Sequence, residues 1–312
     1  MNKNQIPFSL TVAVPIYNEE KNIPAILPEI IRECRTNKWE LVIVDDGSKD
    51  NSYSLLKELC DSDFITLIHH KLNRGYGGAL KSAISCVTTS HVVTIDGDGQ
   101  HQVSDIARMF EYARANDADL VVGNRGRLFT ENFFRSLGKW IIRLFTRLLL
   151  PLPIQDLNSG FKLYRADLAQ QYLILCPDSM AFSDIMTLVH ISQRNLVLEY
   201  PIHINNRKSG RSTINLRTAF ETILEILNIA MLFNPLRIFF PAALFFILFG
   251  FAWGFPIILR KDGVSVGAML AIVSGLLLLF IGLIASQLAS IRLSSLARPQ
   301  GNRSDPPLGA KR

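Results

Sequence analysis

Two long stretches of this chain contain no charged residue, and they limit what it can fold into more than any other feature. Ile238–Leu259 runs for 22 residues and Gly263–Ile291 for 29, with only Arg260-Lys261-Asp262 between them. At about 1.5 Å per residue, a helix of about 20 apolar residues crosses the ~30 Å hydrocarbon core of a bilayer. Two soluble core helices of this length and polarity would be unusual, so residues 235–291 read as a two-helix transmembrane hairpin. A hairpin leaves both chain ends on one side. Arg207, Lys208, Arg211, Arg217 and Arg237 precede it and Arg292, Arg298 and Arg303 follow it, whereas only Arg260 and Lys261 lie in the turn. Cytoplasmic flanks carry the excess of Lys and Arg. The large N-terminal part and both termini are therefore expected in the cytoplasm, against the inner membrane. Gly250 and Gly254 form a G-x-x-x-G, a weak signal of close helix packing.

The remainder has the composition of a soluble enzyme. Hydrophobic content is 48% and mean hydropathy +0.21, and the apolar excess falls after Pro235. A net charge of +6 suits phosphorylated substrates or an anionic membrane surface, and no nucleic-acid partner is expected. Cys34, Cys60, Cys86 and Cys176 are scattered without a C-x-x-C pair. They read as buried thiols in a reducing compartment, neither zinc ligands nor a disulfide frame. Met1–Ser9 is short and polar, not a signal peptide.

Short apolar runs alternate with helix-like sequence over the first two hundred residues. Leu10–Ile16, Leu41–Val44, Ile65–His69, Val92–Ile95 and Leu120–Val122 read as buried strands, and Leu196–Ile204 as an alternating one. This pattern predicts a Rossmann-like α/β fold, with a mostly parallel sheet covered by helices on both faces. Ligands of such sheets bind beyond the carboxyl ends of the strands. The polar clusters stand at those ends: Tyr17-Asn18-Glu19-Glu20, Asp45-Asp46-Gly47-Ser48, Asn73-Arg74-Gly75, Asp96-Gly97-Asp98-Gly99 and Asn124-Arg125. That convergence predicts one nucleotide-sized site.

Asp96 and Asp98, one residue apart at a strand end, make a hard-oxygen pair suited to Mg²⁺ or Mn²⁺ that keeps waters and takes phosphate oxygens. Alternation along a strand would point both acids the same way, and Gly97 and Gly99 would let a ligand approach the backbone. An isolated D-x-D is more often a solvated turn. The Gly75–Gly78 loop is neither a Walker loop nor a dinucleotide fingerprint; it is an ordinary turn or an anion cradle at a helix start.

Three further segments are basic or amphipathic. Over Phe133–Leu150, Arg135, Lys139, Arg143 and Arg147 recur every four residues opposite an apolar face containing Trp140. A basic amphipathic helix of this kind suits a membrane surface, and a solvated face on a core helix fits about as well. Arg207-Lys208-Ser209-Gly210-Arg211-Ser212-Thr213 is a candidate phosphate clamp, although short basic loops are common. Residues 216–234 carry Phe220, Ile223, Leu224, Leu227 and Met231 at helical spacing, and residues 292–312 read as a disordered tail.

The ordered set Val14-Pro15-Ile16-Tyr17-Asn18-Glu19-Glu20, Val44-Asp45-Asp46-Gly47-Ser48, Asn73-Arg74-Gly75-Tyr76-Gly77-Gly78-Ala79 and Asp96-Gly97-Asp98-Gly99-Gln100-His101 resembles the family-two glycosyltransferases of GT-A fold. Asp156-x-x-Ser159-Gly160-Phe161 and Arg207-x-x-Gly210-x-Ser212 narrow the resemblance. They look like the branch that makes polyprenyl-phosphate sugars, including bacterial polyprenyl-phosphate glucosyltransferases and dolichyl-phosphate mannose synthases. The resemblance covers about residues 8–215 and implies a GT-A domain over 1–215. It also implies the activity: inverting, metal-dependent transfer of a hexose from a nucleotide sugar to a polyprenyl phosphate. UDP-glucose is the first expectation for the donor and GDP-mannose the alternative. Gly99, where many of the glucosyltransferases have leucine, and Thr213, where the mannose synthases have lysine, leave the sugar open.

By the same resemblance Pro15, Tyr17 and Glu19, with Asp45 or Asp46, line the base and ribose pocket, and Gly75 lies beside the donor. Asp96, Asp98 and Gln100 hold Mg²⁺ or Mn²⁺. Arg125, Arg135, Lys139 and Arg207, with Ser212, hold the acceptor phosphate or the diphosphate. Asp156 orients the acceptor or acts as base, with Asp184 the second candidate. The expected partners are the nucleotide sugar, the lipid phosphate, the membrane and further copies of the chain. A processive polysaccharide synthase is disfavoured by the absence of Q-x-x-R-W near Gln193-Arg194 and by too few spans. A non-catalytic lipid-binding or flippase accessory protein is disfavoured by the intact acid pair.

Overall fold

The computed structural model describes residues 8–126, 154–157, 159–203, 231, 235–260 and 263–294. They fall into two compact units, one from Phe8 to His203 and one made of the C-terminal helices.

The first unit is a seven-stranded sheet. In chain order its elements are β1 (Leu10–Ile16), α1 (Ile23–Asn37), β2 (Glu40–Asp45), α2 (Ser52–Leu59), β3 (Ile65–His69), α3 (Tyr76–Ser85), β4 (His91–Thr94), α4 (Ser104–Asn116), β5 (Leu120–Asn124), β6 (Lys162–Arg165), α5 (Ala166–Tyr172), a 3₁₀ turn (Leu173–Leu175), α6 (Phe182–Ser192) and β7 (Val197–Pro201). The strands lie in the order β3-β2-β1-β4-β6-β5-β7. All neighbours are parallel except β6, which runs antiparallel to both β4 and β5.

Side-chain alternation accounts for the two covered faces. Leu10, Val12, Val14 and Ile16 join a core with Ile23, Leu27 and Ile30 of α1 and Ile106, Met109 and Ala113 of α4. The intervening Ala13, Val42 and Val44 are equally buried and belong to the opposite face. There α3 packs on β1 and β2, and α5 and α6 pack on α3. The central strands are thus dry on both sides, as those of parallel sheets are, while β3 and β7 at the edges are half-buried.

Two features of this topology position the site. The chain builds β2 and β3 on one side of β1, then crosses to β4 on the other, so the order reverses between β1 and β4. Ligand crevices of open α/β sheets form at such a switch point. The reversed direction of β6 brings its leading residues, 154–157 and 159–161, to the edge where β4 and β5 end. There Thr94 Oγ1 donates to Gly160 O at 2.7 Å and Gly123 N to Phe161 O at 2.9 Å.

The second unit is a hairpin of α7 (Leu236–Leu259) and α8 (Val266–Ser294). Both helices are long and apolar enough to cross a membrane, and only 17% of each apolar window is buried within the chain. The buried residues are small: Ala243, Gly250 and Gly254 on α7, and Ala268, Gly275, Gly282 and Ala289 on α8. The α8 set recurs every seven residues, the repeat of a left-handed pair. A Cβ on Gly250 would lie 2.8 Å from Ala268 O, and one on Gly275 would lie 2.8 Å from Ala243 O. The G-x-x-x-G glycines therefore pack inside the hairpin.

Two expectations need correction. The thiols are free, but only Cys34 and Cys176 are buried; Cys86 is exposed and Cys60 half-buried. Alternation along β4 does not orient the acid pair, because the strand ends at Thr94 and both acids lie in the turn beyond it.

Candidate active site

Three clusters stand at the carboxyl edge of the sheet. The first follows β1 and β2, whose loops are tied together. Asn18 N donates to Ser48 Oγ at 3.0 Å, Glu19 N to Ser52 Oγ at 2.9 Å, and Lys49 N to Asn18 Oδ1 at 2.8 Å. Pro15 and Glu19 are half-buried and Tyr17 is exposed. The adjacent acids differ sharply. Asp46 Oδ1 accepts from His70 Nδ1 (2.7 Å) and Arg74 N (2.9 Å), and its Oδ2 accepts from Gly75 N (2.9 Å). Asp45 Oδ2 accepts from His69 Nδ1 at 2.7 Å, while its buried Oδ1 has no hydrogen-bond partner among the described residues. A buried carboxylate oxygen without a donor is costly, so Asp45 is the acid of this pair that still calls for one.

The same contacts bear on the glycine loop. The Gly75 amide donates to the Asp46 carboxylate, so the anion it holds is one of the chain's own. Gly75 has φ +88, and a Cβ there would lie 2.5 Å from Asp178 O. Gly78 N donates to Asp178 O at 3.2 Å. These glycines let helix α3 start against the 177–179 backbone.

The second cluster surrounds the acid pair. Tyr76 Oη donates to Asp96 Oδ1 at 2.9 Å, and His101 Nε2 lies 3.7 Å from Asp96 Oδ2. Gln100 N donates to Asp98 Oδ1 at 3.1 Å. Gly97 and Gly99 face inward: added Cβ atoms would meet Ile16 and Ile26. Their role is packing beneath the turn, in place of the ligand approach expected from sequence. Among the described residues no group of three or more His, Cys, Asp or Glu forms a protein cage for a metal. Two carboxylates and an amide fit a divalent ion that completes its shell with water and diphosphate oxygens.

The third cluster joins the end of β5 to the start of β6. Arg125 donates to Asp156 three times: N to Oδ2 at 3.1 Å, Nε to Oδ2 at 2.8 Å and Nη2 to Oδ1 at 2.8 Å. Burial alone would raise the Asp156 carboxyl, but the hydrogen bonds and charge of Arg125 outweigh it and hold the group below its ordinary value. A two-pronged guanidinium pair of this geometry fixes both side chains. Glu199 of β7 supports it, accepting from Gln155 N and Asp156 N at 2.6 and 2.9 Å and from Asn124 Nδ2 at 3.1 Å. Asp184 is half-buried in the first turn of α6.

The model of Glycosyl transferase family 2 matches residues 11–173, over half of the chain. The chain belongs to glycosyl transferase family 2. The model of the GtrB C-terminal hairpin matches residues 234–291. The chain is 30% identical over 190 residues to a dolichyl-phosphate beta-glucosyltransferase of Dictyostelium discoideum, covering 54% of this chain and 58% of that one. It is 27% identical over 234 residues to an undecaprenyl-phosphate 4-deoxy-4-formamido-L-arabinose transferase of Pectobacterium carotovorum, covering 74% and 69%. Glucosyl-3-phosphoglycerate synthase of Mycobacterium tuberculosis, crystallised with Mn²⁺, UDP and phosphoglyceric acid, shares the fold. Its TM-score is 0.55 at 16% identity, over 71% of this chain and 78% of that one. The glycosyltransferase thus has a GT-A domain followed by a hairpin, as its motifs implied.

Arg135, Lys139, Arg207 and Ser212 lie outside the described residues of this glycosyltransferase, as do the helix expected over 133–150, all of that over 216–234 but Met231, and residues 295–312; residues 292–294, expected to begin a disordered tail, instead end α8. Sequence reasoning passed over His69, His70, Tyr76, Glu199 and Lys162. Two of them carried a signal: Tyr76 stands within the Asn73–Ala79 motif, and Lys162 is a cation opening a strand directly after the Asp156-x-x-Ser-Gly-Phe motif.

Lys162 is fully buried and donates from Nζ to Leu157 O (2.7 Å), Ser183 O (2.7 Å) and Thr187 Oγ1 (2.8 Å). It fastens the Asp156 loop to α6. Burial pushes its ammonium down to about 8 against the opposing charges of Asp184 and Asp156. An unfolded lysine titrates near 10.4. Between about pH 8 and 10.4 the unfolded chain therefore binds more protons, and this group makes stability rise with pH. Below that window the cost of burying the charge is constant. Thermal unfolding in detergent from pH 7 to 10 should show wild type gaining on Lys162→Met as pH rises. Parallel curves would mean that Lys162 does not titrate there.

Proposed function

We propose that this glycosyltransferase transfers a hexose from a nucleotide sugar to a polyprenyl phosphate at the cytoplasmic face of the inner membrane. The observation that carries the reading is the joining, in one chain, of a family 2 domain and a hairpin long enough to span a bilayer. Both relatives named above are polyprenyl-phosphate sugar transferases. Glucose from UDP-glucose is the first candidate donor.

In this reading the nucleotide lies over the β1–β2 loops, with Pro15, Tyr17 and Glu19 as walls and the buried Asp45 behind them. Asp46 holds the 73–75 loop instead. Asp96, Asp98 and Gln100 hold Mg²⁺ or Mn²⁺, a choice supported by the Mn²⁺ and UDP of the mycobacterial structure. The bound ion supplies positive charge to the leaving nucleoside diphosphate. The Arg125 guanidinium, oriented by Asp156, faces the acceptor phosphate, and Arg135, Lys139, Arg207 and Ser212 assist.

An oxygen of the lipid phosphate attacks the anomeric carbon as the bond to the diphosphate breaks. The electron pair leaves on the diphosphate, and the anomeric centre inverts. A phosphate monoester is already ionised near neutral pH, so no proton needs removing. The depressed Asp156 carboxyl is a poor base and is not required as one.

Incubating the purified chain in detergent with undecaprenyl phosphate and each of a panel of UDP- and GDP-sugars tests the reading. A lipid-linked sugar should form with one donor, UDP-glucose first. Failure with every donor, with the metal site intact, would favour an accessory lipid-binding role. The topology has its own check. A cysteine at position 262 should be labelled from outside intact cells by an impermeant reagent and one at 301 should not; the reverse pattern would place the site where nucleotide sugars are scarce.

A further inference from the structure

We propose that Tyr76 is a positioning residue for Asp96: its hydroxyl fixes the carboxylate of the first acid in the orientation that holds a divalent ion. This rests on the metal role proposed above for Asp96 and Asp98.

Tyr76 is itself held in place by the loop before it. It opens α3 directly after Gly75, whose φ of +88 turns the chain. The Gly75 and Arg74 amides both donate to the Asp46 carboxylate, which His70 Nδ1 also bonds, and His70 Nε2 pairs with Ser82 Oγ of α3 at 2.9 Å. The backbone at Tyr76 is therefore set by a buried acid both of whose oxygens are engaged by the chain itself. From this anchor the side chain crosses to the next loop and donates to Asp96 Oδ1 at 2.9 Å.

Gly160 closes the other side of the same carboxylate. A Cβ there would lie 2.5 Å from Asp96 Oδ2, 2.9 Å from Oδ1 and 2.9 Å from Tyr76 Oη. Thr94 Oγ1, two residues before Asp96, holds the Gly160 carbonyl at 2.7 Å. The absence of a side chain at 160 makes a slot that the carboxylate and the phenol share. Asp96 thus sits between a donor and a wall, with His101 Nε2 at 3.7 Å. A carboxylate held this way loses little freedom when an ion binds. Partners that orient metal ligands are typically worth about ten- to a hundred-fold in metal affinity. The arrangement also accounts for the tyrosine of the Asn-Arg-Gly-Tyr-Gly-Gly loop and the glycine of the Ser-Gly-Phe motif, neither of which touches the chemistry.

Tyr76→Phe keeps the ring and removes only the donor. Free Mn²⁺ can be followed by electron paramagnetic resonance as it is titrated into the full-length protein in detergent, with UDP and with GDP in separate arms. The variant should bind Mn²⁺ about ten-fold more weakly than wild type in whichever arm binds. Its lost transfer should return as Mn²⁺ is raised, and its unfolding midpoint should stay near that of wild type. Unchanged Mn²⁺ affinity, or a loss of transfer that excess Mn²⁺ does not reverse, overturns the role of Tyr76. Asp98→Asn, titrated beside it, separates the two levels. If Asp98→Asn loses Mn²⁺ while Tyr76→Phe does not, the metal reading stands and the inference falls; if Asp98→Asn binds Mn²⁺ as wild type does, both fall.

Discussion

Asp98→Asn should reduce sugar transfer by about a hundred- to a thousand-fold while shifting the unfolding midpoint by only about 1–2 °C. The substitution preserves shape and the acceptor for the Gln100 amide at 3.1 Å. It removes one negative charge from the ion's shell. Charge stabilisation by a bound metal contributes several kcal/mol to a transition state, and each 1.36 kcal/mol is tenfold in rate. Half-exposed polar substitutions away from the core change stability by about 0.5 kcal/mol, which sets the small midpoint shift. Transfer measured across Mg²⁺ and Mn²⁺ concentrations decides the matter. Wild-type turnover by Asp98→Asn at limiting metal would remove this residue from the metal site.

The second large effect should appear at the Arg125–Asp156 pair, in a pattern that a catalytic base would not produce. Arg125→Ala should lower kcat/KM for the lipid phosphate by about ten- to a hundred-fold, the worth of one charge-assisted hydrogen bond to an anion. Asp156→Asn should cost a similar factor, because it releases the guanidinium that its two oxygens hold. The double variant should be little worse than either single one, since both changes break one unit. Arg125 keeps the Asp156 carboxyl below its ordinary value, so Asp156 should add no acidic limb to the wild-type profile between about pH 5 and 8. Multiplying losses, or an acidic limb abolished by Asp156→Asn, would identify a base.

These two predictions draw unequally on what the sequence made legible. The strands were readable because each is a short apolar run closed by a polar cluster, and the sheet order then put those clusters on one edge. The hairpin was readable because nothing but a bilayer accommodates 22 and then 29 uncharged residues in succession. The direction of β6 was not readable. Lys162-Leu163-Tyr164-Arg165 looks like any short strand, and only pairing with β4 and β5 reveals that it runs the other way. The division of labour between Asp45 and Asp46 was hidden for a similar reason. Their partners His69, His70 and the Arg74 and Gly75 amides lie 24 to 29 residues away, and nothing in the motif that holds Arg74 and Gly75 announces that their amides serve Asp46. Glycines were the most misleading signal. Those at 75, 97 and 99 invite a ligand, yet in each case the space a Cβ would take is filled by the chain itself.

The antiparallel insertion of β6 also orders events on the ribosome. β4 is complete at Thr94 and β5 at Asn124, but neither is the other's neighbour, and the strand that joins them begins at Lys162. While those residues are made, β1 to β4 form a half-sheet whose β4 edge is bare, and β5 has no partner. At about 5–20 residues per second, the 38 positions from Asn124 to Lys162 take about 2–8 s. An unpaired apolar edge invites pairing with another chain, so nascent chains held in this interval are the ones most exposed to aggregation. The edge closes only about 70 residues before Leu236, where the first apolar helix begins. Domain completion and commitment to the membrane are therefore close together in time, and a pause placed between codons 124 and 162 should harm the yield of this protein more than one placed after 201.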